Sequence, residues 1–250
     1  MKITILQQDI VWEDVAENIR RADNAVSSAP ASDLYVLPEM FSTGFCTAPE
    51  GAAEGKDGPA LSWMKAKSAE MNAAIAGSVA VTEDGKYCNR FYFVQPDGTV
   101  SHYDKKHLFT YGGEHHHFTP GDERVVVEFR GVRIMLEVCY DLRFPIWSRN
   151  RGDYDMILYV ASWPTVRVGA WKSLLVARAI ENQCYVAGVN RVGIDPSNEY
   201  CGGSMIIDPY GKIAASCEDS VETSATAEID MEALEAFRAK FPVLNDSDVL

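Results

Sequence analysis

The sequence predicts an α/β fold in which mixed β-sheets are covered by helices. Strand-like and helix-like hydrophobic patterns alternate along the 250 residues, with hairpins interleaved. Three predicted strands are apolar on both faces, which is typical of sheets buried between other layers: LYVLP at 34–38, IMLEV at 134–138 and ILYVA at 157–161. Because the chain has so many strands for its length, we expect two sheets packed back to back.

The first half of the chain alternates strands with helices. KITILQQ at 2–8 has the period-two pattern of a strand, and the segment at 14–29 has the amphipathic pattern of a helix. A Pro-Asp-Gly turn at 96–98 separates two later strands. The full set for this half is strands at 2–8, 33–40, 74–81, 90–98 and 100–107, helices at 14–29 and 59–73, and a loop rich in glycine and histidine at 108–124.

The second half continues this alternation. A Pro-Tyr-Gly turn divides 200–217 into two strands, and Asp230 is a suitable N-cap for a last helix that begins at 231. The full set for this half is two strands within 125–139, strands at 156–162, 184–193, 200–217 and 225–230, and helices near 145–150, at 168–183 and at 231–241.

The composition argues against several classes of protein. The formal charge is −13, so the long-range field repels nucleic acid and anionic membranes. No signal peptide is recognisable, and no apolar run reaches the roughly 18 residues that span a bilayer. The six cysteines form no C-x-x-C pair, as expected of reduced thiols. We therefore expect a cytoplasmic protein in which residues 1–250 form a single domain.

Three reactive side chains lie at the ends of predicted strands: Glu39, Lys105 and Cys139. In α/β sheets, functional groups collect beyond the carboxyl ends of strands. A cysteine thiolate attacks carbonyl carbon, a glutamate transfers the proton, and a lysine stabilises the oxyanion that forms. The backbone N–H of Tyr140 is a candidate second donor to that oxyanion. Placement alone does not decide this function, because Glu and Lys also end strands to meet solvent and cysteine is commonly structural.

Three segments resemble the signature segments of the nitrilase superfamily of carbon–nitrogen hydrolases. They are LPEMFSTGF at 37–45, YDKKHLF at 103–109 and LEVCYDLRFP at 136–145. They occur in the family's order and at similar spacing, with 66 residues between Glu39 and Lys105 and 34 between Lys105 and Cys139. Further matching segments extend the resemblance over nearly the whole chain: ASWP at 161–164, ARAIENQCYVAGVNRVG at 177–193 and GGSMIIDPYG at 202–211.

The resemblance implies a four-layer α-β-β-α sandwich with mixed sheets and a Glu-Lys-Cys triad that works through a thioester. At the matching positions, Glu39 is the general base and acid, Lys105 the catalytic lysine and Cys139 the nucleophile. Lys106 occupies the family's variable position, and on a strand it points away from the face of Lys105. The family's second glutamate matches Glu114 and is implied to position the lysine and the substrate. The alternative for Glu114 is a carboxylate that only orders its loop.

The segments at 103–121 and 139–150 resemble the ω-amidase branch of the superfamily. Its members hydrolyse the terminal amide of 2-oxo dicarboxylic acid monoamides, such as 2-oxoglutaramate and 2-oxosuccinamate. These substrates carry a carboxylate, and Arg143 is the candidate that binds it, with an internal salt bridge as the alternative. Aromatic side chains that are candidates for the pocket wall, or alternatively for core packing, are Phe45, Tyr111, Trp163 and Trp171.

Two further patterns suggest other chemistry. His107 is the base in an alternative Cys–His hydrolase, but it lies two residues after Lys105, so we expect it to support the lysine or the loop. The consecutive histidines at 115–117 point in divergent directions, unlike metal sites with i, i+4 spacing. We therefore expect neither a metal nor an organic cofactor.

The remaining alternatives concern the substrate and the activity. One is another superfamily hydrolase, that is an N-carbamoyl amino acid amidohydrolase, another aliphatic amidase or a nitrilase. The other is a catalytically silent binding protein, which would need a defect elsewhere because all three triad residues are present. The small-molecule amide is the expected partner. Members of the superfamily usually form homodimers or larger homo-oligomers, and the long strands and a C-terminal arm at 241–250 are compatible with this.

Overall fold

The computed structural model describes residues 1–246, and its elements follow the predicted alternation. The strands are β1 (Lys2–Gln7), β2 (Leu34–Val36), β3 (Glu54–Gly55), β4 (Ala74–Glu83), β5 (Lys86–Val94), β6 (Val100–Asp104), β7 (Val126–Phe129), β8 (Val132–Val138), β9 (Met156–Ala161), β10 (Tyr185–Asn190), β11 (Val192–Ile194), β12 (Glu199–Cys201), β13 (Met205–Ile207), β14 (Ile213–Ser216) and β15 (Thr223–Glu228). The helices are α1 (Val15–Ser28), α2 (Pro59–Met71), α3 (Pro145–Ser148), α4 (Val168–Asn182) and α5 (Met231–Lys240).

The strands form two large mixed sheets and one hairpin. The first sheet has the order β15-β1-β2-β4-β5-β6, with the short β3 paired to β4. Its strands β1, β2 and β4 are parallel, and the flanking strands run antiparallel to their neighbours. The second sheet has the order β14-β13-β10-β9-β8-β7, with β8, β9 and β10 parallel. The hairpin joins β11 to β12.

The predicted four-layer sandwich is confirmed. The largest apolar cluster lies between the two sheets, where Ile5 and Phe93 of the first sheet share a core with Leu136 and Leu158 of the second. Helices α1 and α2 cover the outer face of the first sheet through a second cluster. Helix α4 covers the outer face of the second sheet, mainly through Trp171 and neighbouring apolar residues. Strands with an apolar layer on each side explain the doubly apolar sequences.

Some predicted boundaries were wrong, and tertiary contacts explain the largest difference. The strand predicted at 184–193 is two elements, because β10 ends at Asn190 and β11 leaves the sheet to pair with β12. The strand predicted to begin at 200 is likewise interrupted at Gly202, which has φ +76°, and a Cβ atom there would overlap the side chain of Gln7. The strand predicted at 33–40 is confined to Leu34–Val36.

The structure also tests the predictions for the C-terminal part of the chain, which concern the last helix and the arm after it. Asp230 caps α5 as predicted, because its carboxylate accepts a hydrogen bond of 2.9 Å from the N–H of Ala233. Of the C-terminal arm predicted at 241–250, residues 247–250 lie outside the described residues. Between residues 1 and 246, the helices lack the combination of length and apolar character that a bilayer-spanning segment needs.

The topology brings the reactive residues to one edge of the sandwich. Strands β2 and β6 run in the same direction, since the two antiparallel pairings β4–β5 and β5–β6 cancel. Glu39 follows β2 and Lys105 follows β6 directly. In the facing sheet, Cys139 follows β8 and Ser162 follows the parallel strand β9. Residues beyond the carboxyl ends of both sheets therefore meet.

Candidate active site

The centre of this edge is a cluster of buried charges. The Nζ atom of Lys105 lies 2.9 Å from Oε1 of Glu39 and 2.9 Å from Oε2 of Glu114. All three side chains are fully buried. Two carboxyl groups surround one amino group, so the cluster has one carboxyl group more than the lysine can pair with. The structure thus brings together three of the four predicted catalytic side chains in direct contact.

Glu39 is held by groups from both sheets. Its Oε1 accepts a hydrogen bond of 2.8 Å from Nδ2 of Asn89 on β5, besides the bond from Lys105. Its Oε2 accepts a hydrogen bond of 2.8 Å from the backbone N–H of Ser162, at the end of β9. Asn89 also reaches Oε1 of Glu114 at 3.3 Å. These contacts orient the carboxylate and leave Oε2 on the side of the second sheet, where Cys139 lies.

The charge state of the lysine follows from its two partners. Burial alone would lower the pKa of Lys105, but the carboxylates of Glu114 and Glu39 raise it above its ordinary value. Burial raises the pKa of Glu114; Lys105 opposes this shift and Glu39 adds to it. Glu114 also accepts a hydrogen bond of 2.6 Å from the N–H of Phe109. It therefore contacts both the lysine and the loop that follows β6, and these contacts are in keeping with either role considered for it, positioning the lysine or ordering the loop.

Cys139 directly follows β8 and is the first residue of a 3-10 helix, where the chain turns sharply. Its φ of +49° lies in the left-handed region, which costs a residue other than glycine about 1–3 kcal/mol. The residue is partly exposed through a cavity, while desolvation and the charge of Glu39 raise the pKa of its thiol well above the ordinary value. The thiol is therefore protonated at rest, and an attack on carbon requires a base that takes its proton.

Asp141 holds the turn that carries Cys139 in place through polar contacts. The carboxylate of Asp141 accepts hydrogen bonds from the N–H of Val138 at 3.0 Å and from the hydroxyl of Tyr103 at 2.8 Å. Its other oxygen accepts from the N–H of His107 at 2.9 Å and lies 2.8 Å from Nδ1 of the same residue. Four polar contacts converge on one buried carboxylate, so the geometry of the turn is strongly determined.

This arrangement corrects the expectation for His107. The ring stacks on Phe144, with 3.9 Å between the centroids, and contacts Asp141 rather than Lys105. His107 therefore supports the turn after the cysteine, and nothing in these contacts favours the Cys–His alternative. The neighbouring Lys106 points away from the charge cluster and places its Nζ atom 5.3 Å from the ring centroid of Trp147.

A cavity of about 370 Å³ opens onto Cys139. It has aromatic walls, and the predicted pocket residues Phe45, Tyr111 and Trp163 all line it. Tyr111 lies at the mouth and is 87% exposed, whereas Trp163 is buried. Trp171 does not line this cavity, so of the two alternatives left open for it, pocket wall and core packing, the structure shows core packing. Its ring is in the core between β10 and α4, and its Nε1–H donates to the carbonyl of Gly203 at 2.9 Å.

Arg143 and Tyr140 also line this cavity. The guanidinium of Arg143 lies 4.9 Å from the ring centroid of Trp163 and is exposed. Within residues 1–246 it makes no ion pair, so the salt bridge considered for it is not formed there. Tyr140 is the second residue of the 3-10 helix, a position at which the backbone N–H has no acceptor within the helix.

Several residues of the site were not found from the sequence. Asn89 directly precedes the strand predicted at 90–98, and Ser162 contributes its backbone, so neither has a signal in the residue types alone. Arg167 also lines the cavity. Trp163, a pocket candidate from the sequence, is the one signal close in the chain to Ser162 and Arg167.

The three consecutive histidines do not converge on one point. The rings of His115 and His116 pack against each other at a tilt of 38°, and Nδ1 of His117 lies 2.6 Å from a carboxylate oxygen of Glu50. Across residues 1–246, no group of three or more His, Cys, Asp or Glu side chains has an arrangement that could hold a metal ion.

Comparison with known proteins shows close relatives. Residues 2–239 match the family model described as carbon-nitrogen hydrolase. The chain is 49% identical to a protein of Yersinia enterocolitica named omega-amidase YafV, over 99% of this chain and 97% of that protein. It is 38% identical to a 2-oxoglutaramate amidase of Bacillus subtilis, over 98% and 96%. A similar solved structure is that of a CN-hydrolase superfamily protein from Xanthomonas campestris, which has an arsenic adduct in the active site. It superposes with a TM-score of 0.96 at 42% identity, and the match covers 100% of this chain and 98% of that one.

Proposed function

The chain belongs to the carbon–nitrogen hydrolase family and is a hydrolase of linear amides, and from this premise we propose that it is an ω-amidase with a Glu39–Lys105–Cys139 catalytic triad. The proposed substrate is a small 2-oxo dicarboxylic acid monoamide, 2-oxoglutaramate or 2-oxosuccinamate. The products are the 2-oxo acid and ammonia. The observation that carries the proposal is the contact of Lys105 with Glu39 and Glu114 beside a cavity that ends at Cys139.

The acylation half of the reaction uses Glu39 first as a base and then as an acid. Glu39 takes the proton of the Cys139 thiol, and the sulfur bonds to the amide carbon, whose π electrons move to oxygen. Lys105 and the backbone N–H of Tyr140 stabilise this oxyanion. Glu39 then gives its proton to the nitrogen as the C–N bond breaks, which releases ammonia and leaves a thioester.

The deacylation half repeats the same roles with water. Glu39 takes a proton from water, the resulting hydroxide attacks the thioester carbon, and Lys105 again stabilises the oxyanion. The sulfur leaves as the C–S bond breaks and recovers its proton from Glu39. Glu114 keeps Lys105 in place throughout, because it contacts Nζ with both oxygens.

The proposed substrate class is one that carries a carboxylate, because the cavity wall offers a cation to bind it. Arg143 is a cation on the cavity wall without an ion-pair partner in the described part of the chain, and a guanidinium matches a carboxylate in bidentate geometry. The aromatic residues Phe45, Tyr111 and Trp163 supply the apolar wall for the carbon chain. The similarity to proteins named omega-amidase and 2-oxoglutaramate amidase supports the same assignment.

The test is ammonia release from a panel of amides. We would assay 2-oxoglutaramate, 2-oxosuccinamate, glutamine, an N-carbamoyl amino acid and a simple nitrile with the wild type, Cys139→Ala and Cys201→Ala. Cys201 is a matched control, since it is another free and partly exposed cysteine. Selective turnover of the 2-oxo amides, lost only in Cys139→Ala, is the expected result. Turnover confined to a carbamoyl substrate or a nitrile would keep the mechanism and contradict the substrate, and full activity in Cys139→Ala would contradict the nucleophile.

We further propose that residues 1–250 act as one hydrolase domain in the cytoplasm and as a homodimer or larger homo-oligomer. The family match over residues 2–239 supports the single domain. The six cysteines are all free, as in a reducing compartment. Exposed apolar side chains at Ile180, Tyr210 and Phe241 support self-association. Sedimentation at micromolar concentration tests the oligomer, and a purely monomeric species would contradict it.

A further inference from the structure

We propose that Arg167 is a second ligand for the substrate carboxylate, which it binds together with Arg143 across the cavity. This inference rests on the proposed function, because it needs an anionic amide as substrate. It makes Arg167 a residue that determines specificity for anionic over neutral amides.

Arg167 is placed by the turn that leaves β9. It ends the 3-10 helix Thr165–Arg167 and lines the cavity that opens onto Cys139. Its guanidinium carbon lies 5.4 Å from the ring centroid of Phe109, and the residue is partly buried. In residues 1–246 its side chain makes neither an ion pair nor a hydrogen bond. A partly buried cation without a partner is costly, and an anionic ligand would remove that cost.

Each arginine lies over an aromatic ring that lines the cavity, Arg143 over Trp163 and Arg167 over Phe109. Arg143 lies over the face of Trp163, and the Nε1–H of that indole donates to the backbone carbonyl of Arg167 at 2.8 Å. Trp163 thus links the two arginines. Stacking on a ring occupies the flat face of a guanidinium and leaves its N–H edge free to donate. The two edges can therefore point into one cavity from different segments of the chain.

The other charges of the cavity wall do not neutralise this pair. Asp195 already accepts hydrogen bonds from the N–H groups of Ser197 and Asn198 and from the hydroxyl of Tyr200. Glu13 lies on the rim and is exposed. Glu39 and Glu114 do not line the cavity and are paired with Lys105. In a protein of net charge −13, an anionic substrate needs local cations to enter, and these two arginines supply them.

A carboxylate has room for both ligands. Its two oxygens offer about four lone-pair sites, of which one bidentate guanidinium occupies two. A second guanidinium can then take the remaining sites, together with the adjacent 2-oxo oxygen. The ligand class is thus a short chain with a carboxylate, or a 2-oxo acid group, at the end opposite the amide.

The experiment compares an anionic and a neutral amide of equal length. We would measure kcat/KM for 2-oxoglutaramate and for pentanamide in the wild type, Arg167→Gln, Arg167→Lys, Arg143→Gln and the control Arg151→Gln, whose arginine is exposed and outside the cavity. The ratio of the two values should fall about 10- to 100-fold in Arg167→Gln, because a hydrogen-bonded charge pair is lost. The ratio should fall less in Arg167→Lys, and it should stay at the wild-type value in Arg151→Gln.

A binding measurement covers the case in which pentanamide turnover is too slow to measure. Calorimetry with 2-oxoglutarate on Cys139→Ala and on Cys139→Ala/Arg167→Gln should show Kd about 10-fold or more weaker in the double variant. If kcat/KM fell equally for both amides, or if Kd were unchanged, the role of Arg167 would be overturned and the proposed function would be left intact. A wild type that does not hydrolyse 2-oxoglutaramate would overturn the proposed function and this inference with it.

Discussion

Ser162 and Glu39 meet across the two sheets of the sandwich, where the backbone N–H of Ser162 donates to Oε2 of Glu39 at 2.8 Å. The two residues are 123 positions apart in the chain. Because the donor is a backbone group at the end of β9, no side-chain change at 162 other than to proline removes it. The carboxylate that is proposed to transfer the proton is therefore held from the same sheet that carries Cys139.

Glu39→Gln should lower kcat by about 10²- to 10⁴-fold, since the amide that replaces the carboxylate cannot take the thiol proton. The fold should be retained, because glutamine has nearly the same volume. Steady-state kinetics together with thermal melting checks both points. Glu235→Gln, at an exposed position on α5, is the control. A variant with wild-type kcat would remove Glu39 from the mechanism.

Glu114→Gln should lower kcat about 10- to 100-fold by releasing Lys105 from one of its two carboxylates, as expected for the loss of a charge-assisted hydrogen bond. KM should change less, because Glu114 does not line the cavity. The comparison is with Glu123→Gln, an exposed glutamate on the same connecting segment. If Glu114 only ordered its loop, KM would rise while kcat stayed near the wild-type value.

Asp141→Asn should destabilise the protein by about 2–5 kcal/mol, because it removes the charge on which four polar contacts converge and leaves a buried amide facing donors. Urea unfolding measures the free energy of unfolding directly. The activity should fall as well, since the same contacts hold the turn of Cys139. Asp122→Asn is the matched exposed control. Stability equal to that of the control would show that Asp141 does not fasten the turn.

Glu137→Gln should stabilise the protein increasingly as the pH rises. Glu137 is fully buried on β8, and neither carboxylate oxygen has a hydrogen-bond partner in residues 1–246. Burial raises its pKa well above the ordinary value; Asp141 adds to this shift, and Tyr159, Arg178 and Arg124 oppose it.

Proton linkage determines whether Glu137 makes the protein more or less stable as the pH rises. An unfolded glutamate has a pKa of about 4.3, so the stability of the folded state is complete below that value and is lost as the pH rises towards the raised pKa, by at most about 1.4 kcal/mol per pH unit. Glutamine does not titrate and removes this loss. Melting at about pH 5 and about pH 8 should therefore show a difference between Glu137→Gln and wild type that grows with pH. A constant difference, like that expected of the exposed control Glu128→Gln, would contradict a buried neutral Glu137.

The sequence by itself determined the fold class, most of the elements and the position of the reactive residues at strand ends. These properties are local: hydrophobic period, turn residues and caps are readable within about ten residues. The order and spacing of Glu39, Lys105 and Cys139 were readable for the same reason, because each lies in a short characteristic segment.

Only the tertiary structure decided which groups hold these residues in place. The backbone of Ser162, the amide of Asn89 and the cavity-facing position of Arg167 depend on how the two sheets pack against each other. The same packing put Trp171 in the core and turned His107 towards Asp141. Residue type does not distinguish a pocket wall from a core residue when both are aromatic, because burial of an apolar ring stabilises either arrangement, and the facing layer decides between them.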